Sequence, residues 1–294
     1  TSTSRVVRRL RPPALPAGLE AIDLLAFSPD SKWLAVAPAD GTARIFNVAD
    51  GAYAGAIKHD ALVTAIDFSA DNKWFLSASL DETARLWRLP RFEAVATLPH
   101  EGPVTRVSFA AGGRRILTGS LDGIVRVWNI EPLSETARIS HDARLTSAQF
   151  ATEGNSVVTT DMSGETQIAT VSAREEEAVI PLGGVAFDTR FSPDGRWLAT
   201  VGIGGTAVWD VQMKQETFRE AQPPHCLSLA FSDDNQLFAT GCGNLRGGPG
   251  TVIVRRTSTW QTVAELALPA PPLLLRFATP NRLLLAALGV VTGR

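Results

Sequence analysis

Seven phenylalanines return along this chain at an almost constant interval. Phe27, Phe68, Phe109, Phe150, Phe191, Phe231 and Phe277 stand 41, 41, 41, 41, 40 and 46 residues apart. A period of that length marks a repeat architecture and outranks any local reading, because each repeat buries its apolar face on the next. After most of the phenylalanines comes a turn tripeptide: "SPD" at Ser28 and Ser192, "SAD" at Ser69, "SDD" at Ser232. Asp, Pro and Gly suit such turns by their backbone preferences. Seven positions past each Phe lies an apolar residue: Leu34, Phe75, Ile116, Val157, Leu198, Phe238 and Leu284. Two positions further the residues are mostly hydroxylated: Val36, Ser77, Thr118, Thr159, Thr200, Thr240 and Ala286. About nineteen positions past the Phe come Phe46, Trp87, Trp128 and Trp209.

Each unit therefore reads as four short strands separated by turns, with no helix to account for. The strand interiors are apolar on both faces, which suits sheets sandwiched between neighbours. A four-stranded unit of this length repeated around a ring is a β-propeller blade. The expected fold is all-β: a seven-bladed propeller with four antiparallel strands per blade.

On these residues the chain resembles the WD-repeat (β-transducin-like) family, of a bacterial type. "SPDGRWLATVG" (Ser192 to Gly202), "VWD" (Val208 to Asp210), "RLW" (Arg85 to Trp87) and "RVW" (Arg126 to Trp128) carry the likeness. It extends from about Leu19 onward and is strongest in the units starting near Val63, Val104 and Ala186. The fourth unit departs from the pattern with Ala169 at the Trp position. The sixth departs with Arg255 there and a longer segment, "CGNLRGGPG".

The seventh unit is read as incomplete. Thr292 and Arg294 stand in the register of Thr83 and Arg85, and the Trp87 equivalent would fall beyond the end. Residues 1–18 are expected either to lend "RVVRRL" (Arg5 to Leu10) as an outer strand closing the last blade, or to act as a linker. Residues 19–294 are the propeller. The first residue is Thr1, and the chain is read as cut from a longer protein.

His59, Ser77 and Asp81 invite a hydrolase reading. A catalytic triad needs one nucleophile and one base in a single open pocket. Here the set recurs. His59, His100 and His141 share one register position, and Ser77, Thr118 and Thr159 share another. Asp81 and Asp122 share a third, where the next unit has Ser163. A device needed once per unit is structural. The resemblance implies that His59, Ser77, Asp81 and Trp87, and likewise His100, Thr118, Asp122 and Trp128, form a hydrogen-bonded lock between strands. No catalytic residue is expected. Histidines placed one per blade are too far apart to share a metal ion, so no metal site is expected. His225 is out of register and is read as a rim or core residue.

Cys226 and Cys242 fall at buried register positions and are read as packed thiols. Two cysteines in a chain of 294 residues lean toward a reducing compartment and a cytoplasmic location. "GCGNLRGGPG" has Arg246 where a third phosphate-cradling glycine would stand, so it is read as a loop and no cofactor is expected. A net charge of −2 gives no global pull toward nucleic acid or an anionic membrane. The longest apolar run, Leu283 to Val291, is about half the length of a spanning helix. Arg5, Arg8, Arg9 and Arg11 form a basic run read as a solvated strand or linker. Glu175, Glu176 and Glu177 fall on an outer strand, where charge discourages edge pairing. Of the seven tryptophans only Trp260 has no register position.

What remains for function is one rim. Leu80, Leu121 and Met162 precede the turn Asp position, and Leu62, Pro103 and Arg144 precede the first core Val or Leu. Together they make a candidate partner-binding arc bordered by Asp60, Glu101 and Asp142. The expected function is a non-catalytic protein–protein interaction scaffold or sensor in a larger intracellular signalling protein. Its partners would be proteins or other domains of the same polypeptide, not nucleic acid, membrane or a small-molecule cofactor. The alternative is an enzyme-associated propeller, lactonase-like or gating a hydrolase domain. That would need a carboxylate–histidine cluster at the central channel or an added domain.

Overall fold

The computed structural model describes residues 22–151, 154–171, 175–181, 185–213, 215–220, 225–244, 248–278 and 282–288. Every regular element among them is a β-strand. They form six four-stranded antiparallel sheets and one two-stranded sheet, each strand pairing with its sequence neighbour. This is the make-up of propeller blades. The chain divides into two compact units, residues 1–140 and 141–294. The first unit holds sheets one to three; the second holds sheets four to seven.

The Phe period is the period of the first strands. Six of them end on it: Ile22–Phe27, Val63–Phe68, Val104–Phe109, Leu145–Phe150, Ala186–Phe191 and Cys226–Phe231. The apolar residue seven positions on sits directly across the hairpin. Phe68 faces Phe75, Phe150 faces Val157, and Phe231 faces Phe238. In the seventh sheet the facing residue is Leu283, while Leu284 faces Arg276, so the expected register is off by one there.

The turn joining these strands is built by its own side chains. Ser69 Oγ donates to Asp71 Oδ1 at 2.7 Å and accepts the Trp74 amide at 2.9 Å. The same pair of bonds recurs at Ser28, Ser192 and Ser232. A short side chain that caps its own backbone in this way fixes where one strand ends and the next begins.

Neighbouring sheets pack face to face within each unit. In the first, Ala35, Ile45 and Ile57 meet Val63, Phe75 and Trp87. Leu76, Leu86 and Leu98 then meet Val104, Ile116 and Trp128. In the second, Trp197 and Val208 meet Leu229 and Phe238. Trp260 joins that core by stacking on Phe218 and meeting Trp197 edge-on. The backbone φ of Trp260 is 58°, against 53° at Phe92, which packs edge-on against Trp33. The seventh tryptophan is thus a packing residue too.

Polar bonds also cross between sheets. The Asp67 carboxylate accepts the Phe109 amide of the next sheet at 2.9 Å and the Phe68 amide at 2.9 Å. Burial lifts its pKa to about 6, against those two donors.

Cys226 and Cys242 are not separate thiols. They face each other on paired strands and form a disulfide. The pair therefore lends no support to the reducing compartment suggested by the cysteine count, because such bonds persist where conditions are oxidising. The Gly-rich segment spans the end of Leu237–Gly243 and the start of Gly250–Arg256, paired strands of the sixth sheet, and its residues 245–247 lie outside the described residues. Glu175–Pro181 is the outer strand of the fourth sheet. Residues 1–18, with Arg5, Arg8, Arg9 and Arg11, lie outside the described residues, as do Thr292 and Arg294.

Candidate functional site

In the second sheet four side chains are joined in one chain of hydrogen bonds. His59 Nδ1 lies 2.9 Å from Asp81 Oδ2, and His59 Nε2 lies 2.8 Å from Ser77 Oγ. Trp87 Nε1 donates to Ser77 Oγ at 2.9 Å. An ionised Asp only accepts, so Nδ1 carries the proton, and the neutral ring accepts from Ser77 through Nε2. The strands place these groups. Ser77 and Phe75 sit on Trp74–Ser79, Phe75 faces Trp87, and His59 leads in from the previous sheet's outer strand, with its amide bonded to the Gly41 carbonyl.

Asp81 closes the turn after Trp74–Ser79. It accepts from the Thr83 amide, the Thr83 hydroxyl and the Asp60 amide at 3.1, 2.6 and 3.0 Å. Burial works to raise its carboxyl, but Thr83, the Asp60 amide and His59 outweigh burial and hold it down at about 2. Burial lowers the His59 pKa despite the facing carboxylate. The imidazole is therefore neutral.

The connectivity from Asp81 through His59 to Ser77 is that of a hydrolytic triad, but the accessibility is not. Ser77 has no exposed surface, and its oxygen accepts the Trp87 indole N–H. A nucleophile needs a free lone pair facing a substrate. This one faces a buried tryptophan.

The other sheets vary the set. In the third, His100 Nε2 lies 2.7 Å from Thr118 Oγ1, which accepts Trp128 Nε1 at 3.0 Å. His100 Nδ1 stands 4.0 Å from Asp122 Oδ2, beyond hydrogen bonding, and is buried without a partner. Asp122 instead accepts the Ile124 and Glu101 amides. The expected four-member set is thus three-membered here. Burial, reinforced by the positive charge of Arg126, pushes the His100 pKa down to about 4.

In the fourth sheet His141 Nε2 lies 2.7 Å from Thr159 Oγ1, and its Nδ1 lies 3.3 Å from Asp161 Oδ2. The acid comes from Asp161, not from the register position, which Ser163 holds. In the second and third sheets Ser79 and Ser120 occupy the Asp161 position and bond the Asp81 and Asp122 amides. In the fifth sheet Trp209 Nε1 is buried without a hydrogen-bond partner. In the sixth, the fully buried Arg255 stands at the Trp position and donates to Thr240 Oγ1 at 3.2 Å. Its other face pairs with Glu220 and lies over the Phe218 ring.

Arg85 is a member that sequence reasoning passed over. It donates to the Lys58 carbonyl at 2.9 Å and reaches Asp81 at 3.3 Å and Asp60 at 3.4 Å. Its recurrence as Arg44 and Arg126, one period away on each side, was the available signal. Arg44 pairs with Asp40 at 2.7 Å.

The rim residues fall in backbone-paired couples. The Leu80 amide donates to the Leu62 carbonyl, Leu121 to Pro103, and Met162 to Arg144. Leu80 is 41% exposed and Met162 47%, so these two do not tuck into their turns. Leu62, Pro103 and Leu121 are half-buried, and Arg144 is exposed. Asp60, Glu101 and Asp142 beside them are exposed. The first two couples lie in the first unit, the third in the second. His225 occupies the register of Leu62 and Pro103, since its carbonyl accepts the Gly243 amide. It is a rim residue. Among the described residues no group of three or more His, Cys, Asp or Glu side chains could hold a metal ion, and no helix is long and apolar enough to cross a membrane.

The family model for the WD domain, G-beta repeat, matches residues 20–47, 55–88 and 92–129. These three segments cover most of the first three sheets, without the third sheet's outer strand Leu133–Ser140, and include both His–Ser/Thr–Trp sets of the first unit. The chain is similar there to WD repeats, which generally mediate protein–protein interaction. No curated protein matches the chain.

Proposed function

We propose that the chain is a non-catalytic protein–protein interaction scaffold or sensor, one module of a larger signalling protein, read as a seven-bladed propeller from its Phe period. The observation that carries the non-catalytic reading is Ser77, wholly buried with its oxygen engaged by Trp87. The His–Ser/Thr–Trp groups of the second and third sheets act as locks, completed by Asp81 in the second, and His141, Thr159 and Asp161 do the same in the fourth without a Trp. Polar groups persist in a core when they satisfy one another.

Recognition is assigned to the rim. In the first unit Leu80 exposes a large apolar side chain, with Asp60 and Glu101 exposed in the same rim register, the composition of a contact surface with a polar border. The test uses the chain immobilised as bait, with quantification of captured proteins by mass spectrometry. Proteins held by the wild type should be lost by the Leu80→Asp, Leu121→Asp double variant. An identical captured set from both baits would sink the rim assignment.

A further inference from the structure

A cavity of about 660 Å³ opens in the first unit between the second and third sheets. It lies at the opposite end of the second strand, Trp74–Ser79, from Leu80, so it is remote from the rim. The turn between the first two strands of the third sheet lacks side chains that its sister turns carry.

In the first and second sheets this turn carries Asp30 and Asp71. Each carboxylate pairs with the cation two residues on, Lys32 at 3.1 Å and Lys73 at 3.3 Å. In the third sheet the Asp position is Gly112, while the cation remains as Arg114. Arg114 is exposed, and no carboxylate among the described residues lies within ion-pair distance of it. The next position, Trp33 and Trp74 in the sister turns, is Arg115, which adds a second guanidinium. The asparagine that ties neighbouring turns is missing too. Asn72 Oδ1 accepts the Asp30 amide of the preceding sheet, and Asn235 does the same for Asp194. Gly113 stands in that place, with φ +64°, and has no side chain to make the bond.

The result is a cavity of ligand-binding size in which the exposed Arg114 lacks the carboxylate that the sister turns give their cation. Lys73 is occupied by Asp71, and Glu131 is the other lining acid. A Cβ on Gly112 would meet nothing within 4 Å, so the place of the missing carboxylate is open space.

We propose that this cavity takes a carboxylate side chain from an acidic, extended segment of a protein partner, held by Arg114 with Arg115 beside it. This rests on the reading of the chain as a protein-interaction module, and it places a second contact on a face the rim does not use. Guanidinium groups favour carboxylates through paired N–H donors. Gly112, exposed and with nothing within 4 Å of where a Cβ would stand, leaves the turn backbone bare there for a second main chain to lie against.

The test is fluorescence anisotropy with a labelled acetyl-Gly-Glu-Glu-Asp-Gly amide at low salt, against its Gln/Gln/Asn counterpart. The acidic probe should bind the wild type and weaken as salt rises. Arg114→Glu should weaken it about tenfold. Gly112→Asp, which restores the sister turns' carboxylate in open space, should do the same without disturbing the melt. The Leu80→Asp, Leu121→Asp variant should bind the probe like wild type. Equal binding by wild type, Arg114→Glu and Gly112→Asp overturns the proposal and leaves the rim untouched. Equal binding of the uncharged probe also overturns it, and so does full displacement by equimolar inorganic phosphate, which would mark a general anion site. Unchanged partner capture by the Leu80→Asp, Leu121→Asp variant, with the acidic probe still bound, would count against the rim assignment alone.

Discussion

Removing the Asp81 carboxylate would leave the His59 Nδ1–H buried without its acceptor and release the turn held by Thr83 and the Asp60 amide. Asp81→Ala should cost about 2–4 kcal/mol in urea unfolding, the scale for a broken buried network. Asp122→Ala should cost about half as much, because His100 already stands 4.0 Å from that carboxylate. Equal costs would show that the histidine contact is not what the acid supplies. Acid should act through His100. Its folded pKa of about 4 lies below the unfolded value of about 6.5, so below pH 6.5 the unfolded state binds more protons. Its contribution is present above that pH and is lost as pH falls toward 4, by about 2 kcal/mol between pH 7 and pH 5. Asp67 runs the other way, since its pKa is raised to about 6 and its stabilising protonation is lost as pH rises. The whole-protein profile therefore hides much of the effect. The stability gap between wild type and His100→Gln should isolate it, narrowing by about 2 kcal/mol from pH 7 to pH 5. A gap that stays constant would mean His100 is not held neutral by burial.

At the scale of the strand, a bulge matters as much as composition. Phe231 faces Phe238, and that pairing carried straight back along the hairpin would set Cys226 opposite Gly243. A register shift between Cys226 and Ser228 sets it opposite Cys242 instead. The same shift recurs near the start of the first strand in other sheets, at Val63/Ala65 and Ala186/Asp188. The disulfide closes a separation of 16 residues, for which loop-closure entropy predicts about 3 kcal/mol. Replacing both cysteines by Ser should lower stability by about 2–4 kcal/mol, and adding reductant to the wild type should give the same shift. No shift in either case would mean the bond adds nothing to the folded state. The turns were legible because Ser and Asp at fixed offsets from Phe make their own capping bonds locally. The cysteine pairing was not, because a bulge leaves no fixed mark on residue type.

For the molecule as a whole, stability and recognition should separate. Asp81→Ala should melt early yet keep its partners in the cold, while the Leu80→Asp, Leu121→Asp variant should melt like wild type and lose them. Parallel loss of both properties in either variant would merge what the geometry keeps apart. The sheet count among the described residues follows the Phe period, with six four-stranded sheets and a seventh of two strands. The two rim positions were named from the sequence, and their backbone pairing comes from the structure. Their exposure was open, since a leucine before a turn can pack inward or outward, and only the local backbone sent Leu80 outward.

The sequence by itself determined the repeat, the strand content, the turn chemistry, the four residues of the first lock and three of the four expected in the second. All of these depend on spacing along the chain, which a 41-residue period states directly. Tertiary structure alone decided which acid serves His141, how far Asp122 stands from His100, and that Cys226 meets Cys242. It also decided that Gly112, Gly113, Arg114 and Arg115 open a cavity against the second sheet. The physical reason is common to all four. Each depends on a distance of a few ångströms across strands or sheets, set by bulges and by which side chain is missing from a neighbour, and spacing along one chain does not encode it.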